Sequence, residues 1–292
     1  MAYHGRFAPS PTGDLHLGSL LAALGSWLCA RKAGGTWQVR IEDMDPPREV
    51  PGSAASILRT LRACSLEPDA PPLYQSTRVG VYADAIASLR ADNLAYPCWC
   101  TRSDLATHGG LHPATCIAAA EPAREPSWRV RVGDAVIEFV DALQGPQRWP
   151  LAATAGDFVL ERADGVFAYQ LACAIDDAAP GITDVVRGAD LLESTPRQVF
   201  LRRLLGLPDP AYLHLPVLVD VHGDKLSKSI GSAAVDQADP LPAMKTVLGL
   251  LGIPLDGLRV DTPRALLAGA LAAFDPARLP RTATLAIPPP AT

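Results

Sequence analysis

The stretch Arg6-Phe7-Ala8-Pro9-Ser10-Pro11-Thr12-Gly13-Asp14-Leu15-His16-Leu17-Gly18-Ser19 runs from strand to turn to helix start. Arg6–Ala8 reads as a short buried strand, and Pro9 to Asp14 is turn chemistry. From Leu15 to Lys32 the apolar positions Leu17, Leu20, Leu21, Leu24 and Leu28 keep helical spacing, and Gly34-Gly35 supply a stop. Trp37–Glu42 then reads as a second strand. A strand, a crossover helix and a strand predict a parallel, doubly wound α/β sheet. Ligands of such sheets sit at the carboxyl ends of the strands, where this loop falls. Its glycines allow close backbone approach, and a helix N-terminus offers N–H groups and a positive dipole end to a phosphate. His16, with Gly18 and Ser19 beside it, can add a hydrogen bond. An ordinary Gly/Pro turn before a helix would look similar.

Further along, helices are expected around Ser53–Cys64 and Val79–Asn93. From Tyr96 to about Pro150 the pattern breaks, with several prolines, three clustered cysteines and strand-like Trp128–Val132 and Val136–Val140. The α/β pattern resumes at Asp157–Arg162. Asp164-Gly165 is a hairpin signal, with Val166–Gln170 as the returning strand. A strand at Thr183–Arg187, a helix near Thr195–Leu205 and a late strand at Leu215–Asp220 follow. The expected division is a split Rossmann-like catalytic domain (1–95 and 151–235), an inserted subdomain (96–150) and a short helical C-terminal segment (236–292).

Composition narrows the class. The 292 residues, 48% hydrophobic and 20% charged, suit a globular protein with a full core. No long apolar run predicts a membrane span, and the N-terminus lacks the basic and apolar regions of a secretory signal. A cytoplasmic monomer is expected. The net charge of −5 excludes a whole-molecule basic field, so contact with RNA would rest on local patches. Arg197, Arg202 and Arg203 are one such patch, or equally a solvated helix face. Cys29, Cys64 and Cys173 stand singly; Cys98, Cys100 and Cys116 cluster, which in a cytosolic chain suggests metal before disulfide. Lysine occurs only at 32, 225, 228 and 245, and two of these fall in Lys225-Leu-Ser-Lys228-Ser229. Two ammonium groups with two hydroxyls make a clamp for a polyphosphate, able to stabilise the charge that develops as pyrophosphate leaves.

Together, His16-Leu-Gly18-Ser19 and Lys225-Leu-Ser-Lys228-Ser229 resemble the two signatures of class I aminoacyl-tRNA synthetases. Gly5–Gly13, Val39-Arg-Ile-Glu-Asp-Met-Asp-Pro-Pro-Arg48, Gln75-Ser-Thr-Arg78 and Ala95-Tyr-Pro-Cys-Trp-Cys-Thr101 are similar, in order, to segments of the glutamyl-tRNA synthetases. The resemblance implies ATP with Mg²⁺, glutamate and a tRNA as substrates and partners, with His16, Gly18, Lys228 and Ser229 at ATP and His16, Gly18, Ser19, Lys225 and Lys228 carrying the chemistry. It places glutamate against Arg6, Phe7, Ala8, Pro9, Ser10, Glu42, Tyr169 and Arg187. A guanidinium fork suits the side-chain carboxylate, and Arg6 is the candidate; Glu42 is the candidate for the α-ammonium. Arg6 and Arg187 could instead be ion-paired, Glu42 a salt-bridge partner and Tyr169 a core aromatic. Cys98, Cys100 and Cys116 resemble the family zinc site. His112 aligns with the fourth ligand and His108 is second choice, which implies one closed, structural Zn²⁺.

The chain departs from the full-length pattern. About sixty residues follow Ser229, too few for an anticodon-binding domain, and Ser19 replaces the more usual Gly or His. Both departures resemble the family's short paralogue, which activates glutamate without tRNA and attaches it to queuosine in the anticodon of tRNA(Asp). The rival readings are a truncated synthetase that charges the 3′ end of tRNA(Glu), and an adenylyltransferase acting on a free small molecule.

Overall fold

The computed structural model describes residues 2–121, 123–220, 223 and 234–287. The first half contains β1 (His4–Phe7), α1 (Leu17–Lys32), β2 (Thr36–Ile41), α2 (Ser53–Ala63), β3 (Leu73–Tyr74), α3 (Val79–Ala91), β4 (Ala95–Cys98), α4 (Arg102–Ala106), β5 (Ser127–Val130), β6 (Val136–Asp141) and β7 (Gly145–Pro150). The second contains α5 (Leu151–Thr154), β8 (Val159–Glu161), α6 (Tyr169–Ala178), β9 (Asp184–Gly188), α7 (Thr195–Leu204), β10 (Ala211–Leu215), β11 (Val217–Val219), α8 (Leu241–Leu250), α9 (Pro263–Ala273) and β12 (Thr284–Ala286).

The central sheet has the order β3-β2-β1-β9-β10-β6-β7. All neighbours are parallel except the edge pair β6–β7. Side chains alternate across such a sheet, so each strand feeds two cores. In β9, Val185 joins the core beneath α3, α6 and α7, whereas Val186 joins the one formed by α1, α2, α8 and α9. The alternation decides where the charges go. Phe7, Val39 and Ile41 face the α1 side, so Arg6 and Arg40 face α6; His214, two residues after Tyr212, does the same. At α1 the packing is tight. A Cβ on Gly25 would stand 2.5 Å from Leu215 Cδ1, so glycine is what lets the helix lie this close to β10. The helix is buried on nearly every side, from Leu20 to Ala30, because α8 and α9 cover the face away from the sheet.

A separate antiparallel sheet, β4-β5-β8, carries the cysteine segment. The hairpin β6–β7 lies within the span 96–150 yet extends the central sheet, through the pair Tyr212 and Asp141. Val166–Gln170 is not a returning strand. After a single bridge between Glu161 and Phe167 the chain enters α6 at Tyr169. Leu171–Asp177 are all buried, the acids Asp176 and Asp177 included, and buried acids do not read as part of a core-facing helix. Arg202 likewise forms no RNA-facing patch. It is 1% exposed, and its guanidinium donates to the carbonyls of Ala174 and Pro208, while Arg203 pairs with Asp209 at 3.0 Å. Among the described residues no helix is long and apolar enough to cross a membrane.

Candidate active site

The loop between β1 and α1 opens onto a cavity of about 680 Å³ at the carboxyl ends of β1 and β9. Its walls include Arg6–Ser10, His16, Gly18, Ser19, Tyr169 and Arg187. Sequence-predicted residues 160 positions and more apart in the chain therefore meet at one place. Glu42 is the exception and does not line the cavity: its Oε1 accepts from Arg40 at 3.0 Å and from the Cys173 thiol at 3.1 Å. Lys225, Lys228 and Ser229 lie outside the described residues. The next described residue, Ala234, bridges to His16, and Val235 donates to the Leu15 carbonyl.

The expected anion site at the start of α1 has an unforeseen detail. His16 is the N-cap, and its Nδ1 accepts from the backbone N–H groups of Gly18 (3.1 Å) and Ser19 (3.4 Å). With Nδ1 accepting, a neutral ring carries its proton on Nε2, which donates to Ser19 Oγ at 3.1 Å. A Cβ on Gly18 would stand 3.1 Å from the imidazole, so the glycine leaves room for the ring. His16 thus holds helix N–H groups of the kind a phosphate would use. Asp43 and Asp45 shape loops: Asp43 accepts from the backbone and hydroxyl of Ser76, and Asp45 pairs with Arg48.

Below the cavity lies an ionic cluster. Asp177 of α6 accepts from Arg6 Nε at 3.0 Å and from Arg40 Nη1 at 2.5 Å. All three side chains are under 5% exposed. Burial alone would raise the Asp177 pKa; Arg40 and then Arg6 outweigh it and hold the carboxyl well below the usual range. The Arg6 fork, expected to face ligand, is therefore largely committed to Asp177. The neighbouring Asp176 accepts from Gln75, Arg78 and Tyr82, which gives the Gln75–Arg78 motif a structural task. Asp176 and Asp177 have no counterpart among the sequence-predicted residues, because Val166–Gln170 reads as a strand and nothing in the pattern assigns the helix that follows from Tyr169.

Arg187 differs. Its guanidinium is buried, yet its four hydrogen-bond partners among the described residues are uncharged: His214 Nε2 (3.0 Å), Tyr169 Oη (3.4 Å), Thr195 Oγ1 (2.8 Å) and the Leu191 carbonyl (3.4 Å). A buried cation hydrogen-bonded to neutral dipoles at a cavity wall, with Asp177 acting on it only through space, attracts an anion. Burial also pushes the Tyr169 hydroxyl well above its ordinary pKa, so it stays a neutral donor and acceptor.

Some distance along the chain, Cys98, Cys100, His112 and Cys116 bring their donor atoms within 4.8 Å of one another. Cys98 Sγ lies 3.2 Å from His112 Nε2, and Cys116 Sγ lies 3.5 Å and 3.7 Å from the sulfurs of Cys100 and Cys98. Thiolates on a tetrahedral zinc stand about 3.8 Å apart, so the set suits that ion. The other nitrogen of His112 faces the Pro113 carbonyl (2.6 Å) and Tyr96 Oη (3.1 Å), an outer shell that fixes Nε2 as the ligating atom. His108 is exposed and outside the cluster.

A parallel sheet with a histidine-capped loop at its carboxyl edge agrees with what the family comparison shows: the chain is a class I aminoacyl-tRNA synthetase catalytic domain. The family model described as tRNA synthetases class I (E and Q), catalytic domain, matches residues 3–125 and 118–259. Within that class, the chain belongs to the glutamyl-Q tRNA(Asp) synthetase family. It is 53% identical to the Glutamyl-Q tRNA(Asp) synthetase of Burkholderia cenocepacia over 93% of this chain and 96% of that protein. To the protein of the same name from Xanthomonas axonopodis pv. citri it is 54% identical, over 96% and 93%. Among solved structures it is similar to a glutamate tRNA ligase from Elizabethkingia meningosepticum in complex with its amino acid (TM-score 0.81, 26% identity). The glutamate-tRNA synthetase of Elizabethkingia anophelis is comparable (TM-score 0.82, 26% identity). The chain spans 66% and 68% of the lengths of those two proteins.

Proposed function

We propose that this enzyme activates glutamate with ATP, in the absence of tRNA, and transfers it from glutamyl-adenylate to queuosine in the anticodon of tRNA(Asp). The observation that carries the glutamate reading is Arg187, a buried cation whose hydrogen-bond partners among the described residues are neutral, set beside Tyr169 on the cavity wall. It is the anchor for a substrate carboxylate. Arg6–Ser10 form the wall along which the amino acid lies, and Arg6 is fixed from behind by Asp177. Glu42 stands behind that wall and contributes to its charge balance. The tRNA acceptor is supported by the names of relatives that match this chain over nearly their whole length.

In this reading ATP lies across the His16–Ser19 loop. The glutamate α-carboxylate attacks the α-phosphorus, pyrophosphate leaves, and a hydroxyl of the modified nucleoside then attacks the adenylate. Positioning and charge stabilisation carry the rate, with no side-chain nucleophile. When phosphate arrives, His16 releases the N–H groups of Gly18 and Ser19 and turns its own N–H to the phosphate. Lys225, Lys228 and Ser229 hold the departing pyrophosphate. Mg²⁺ bound with the nucleotide supplies further charge neutralisation. Cys98, Cys100, His112 and Cys116 would hold one zinc with no position open to substrate, a structural brace for the inserted segment. A catalytic domain interrupted by the cysteine-bearing segment, a short C-terminal segment, and a monomer of the cytoplasm belong to the same proposal.

The test is ATP–pyrophosphate exchange with a panel of amino acids and no RNA. Exchange with glutamate alone is expected, followed by glutamate transfer to queuosine-containing tRNA(Asp) and not to tRNA(Glu). Exchange that appears only when tRNA(Glu) is added would replace this reading with a truncated glutamyl-tRNA synthetase.

A further inference from the structure

We propose that Asp141 and His214 form a buried positioning relay that aims the Arg187 guanidinium at the substrate carboxylate; the proposal rests on the reading of Arg187 given above. Neither residue lines the cavity. Both are at most 1% exposed, an expensive place for two titratable groups unless each satisfies the other.

The sheet register creates the relay. On the parallel strands β9 and β10, Arg187 and His214 are direct Cα partners, and alternation puts both on the α6 face. The next strand outward, β6, ends at Asp141 beside Tyr212. Asp141 Oδ2 lies 2.6 Å from His214 Nδ1, and His214 Nε2 lies 3.0 Å from Arg187 Nε. The protons can be assigned by elimination. Arg187 Nε can only donate, so His214 Nε2 must accept; Nδ1 then carries the proton and donates to the carboxylate. His214 is therefore a neutral ring of fixed tautomer. Burial, together with the charge of Arg187, lowers its pKa below the ordinary value against the pull of Asp141. The other groups facing the ring agree with this state. Thr195 Oγ1, at 3.2 Å, accepts from Arg187 Nη2 and sits where it can donate to Nε2 or to the Leu191 carbonyl, and the Tyr212 ring stacks on it at 6.0 Å. Arg6 adds a repulsive field from β1.

The relay's far end is equally constrained. Asp141 Oδ1 accepts the backbone N–H groups of Leu143 (3.0 Å), Gln144 (2.9 Å) and His214 (3.2 Å). Those bonds lock the carboxylate so that Oδ2 alone faces the imidazole. With Nε held by His214 and Nη2 by Thr195 and the Leu191 carbonyl, the Nη1 corner beside Tyr169 is left to meet a ligand. An unheld guanidinium would lose that alignment, and a charge-assisted hydrogen bond to a carboxylate depends on it.

The decisive variant is Asp141→Asn. The three backbone donors keep the amide oxygen in the Oδ1 place, so the amide N–H₂ faces His214 Nδ1. The ring must then carry its proton on Nε2, against the Arg187 N–H. The expected result in ATP–pyrophosphate exchange is a rise of about tenfold in the KM for glutamate, the scale of one misaligned charged hydrogen bond. The KM for ATP and kcat are expected to stay within about twofold. His214→Phe should act in the same direction. His214→Gln, which can donate to Asp141 and accept from Arg187, should restore most of the affinity. Nitrogen NMR of the ring should show protonated Nδ1 in the wild type and protonated Nε2 in Asp141→Asn. If both Asp141→Asn and His214→Phe leave the glutamate KM unchanged while Arg187→Ala raises it, the relay is wrong and the reading of Arg187 stands. Equal losses for glutamate and ATP would make the pair merely structural and also overturn the relay. If Arg187→Ala itself leaves the glutamate KM unchanged, the reading of the pocket fails and takes the relay with it.

Discussion

The amino-acid pocket and the cysteine module are built by opposite means. The pocket's floor joins residues far apart in the chain, with Arg6 and Arg40 of β1 and β2 meeting Asp177 of α6 and Arg187 meeting His214 across two strands. The module gathers its four donors from Cys98 to Cys116, a short piece of chain that needs no large core. The first is a charge network stabilised by the whole fold; the second is a local loop set that a single ion would hold. Damage to the pocket floor should therefore register in global stability, and damage to the module in metal content and local order.

The largest expected effect is on the floor. Asp177→Ala removes the carboxylate that two buried guanidiniums share. Breaking a buried pair in this way costs about 3–5 kcal/mol. Urea unfolding should show the loss directly, and a change below about 1 kcal/mol, of surface-pair size, would erase the contrast between the regions. In the module, Cys98→Ser should bring bound zinc from about one per chain to near zero by elemental analysis, because three remaining donors no longer close a tetrahedral site. Glutamate-dependent exchange without RNA should survive within a few-fold, while transfer to tRNA falls further. Equal loss of both steps would show that the module shapes the amino-acid pocket too.

The same contrast explains what was legible in the sequence. The module's donors were readable because Cys98, Cys100 and Cys116 are close in the chain, and His112 was separated from His108 only when the structure set it on Cys98 Sγ. The β1–α1–β2 unit was readable because strand, turn and helix periods follow one another without interruption. Asp177 was not, since its role depends on a register between β1, β2 and a helix some 140 to 170 residues away, and an acid in a helix ordinarily reads as a solvated residue. His214 gave no signal either. A lone histidine in a strand of mixed residues becomes meaningful only once β9 and β10 are known to be neighbours. Glu42, the candidate for the α-ammonium with a salt-bridge role as the alternative, pairs with Arg40 at 3.0 Å, a neighbour two residues away.

Acid should separate the pocket's groups by their pKa windows. His214 has a folded-state pKa below its unfolded value, so the unfolded chain takes up the proton first. Its contribution is fully present above about pH 6.5 and declines as pH falls from there, by at most about 1.4 kcal/mol per pH unit. Asp141 and Asp177 are also depressed in the fold, the first by its hydrogen bonds from His214 and the Gln144 backbone against burial. Their contribution is lost only at lower pH, below about 4, where the unfolded carboxyls protonate. Urea titrations at several pH values should resolve the two windows, and His214→Gln should flatten the upper one. An upper window that persists in that variant would assign it to another group.

The smallest expected effect tests how local the module is. Thr101 caps α4, accepting the Asp104 N–H at 3.2 Å while Asp104 Oδ2 accepts the Thr101 N–H at 2.7 Å. This reciprocal pair follows Cys100 at once, so it sets the direction in which the chain leaves two of the donors. Thr101→Ala should cost about 1 kcal/mol. Because the pair is exposed and the helix short, that cost should appear as faster amide exchange across residues 101–106 and weaker metal retention against a chelator, with the global urea midpoint nearly unchanged. A shift in the global midpoint equal to the full capping cost would mean that the module unfolds together with the central sheet, and that β4, which leads from α3 into Cys98, couples the two regions more tightly than their separate sheets imply.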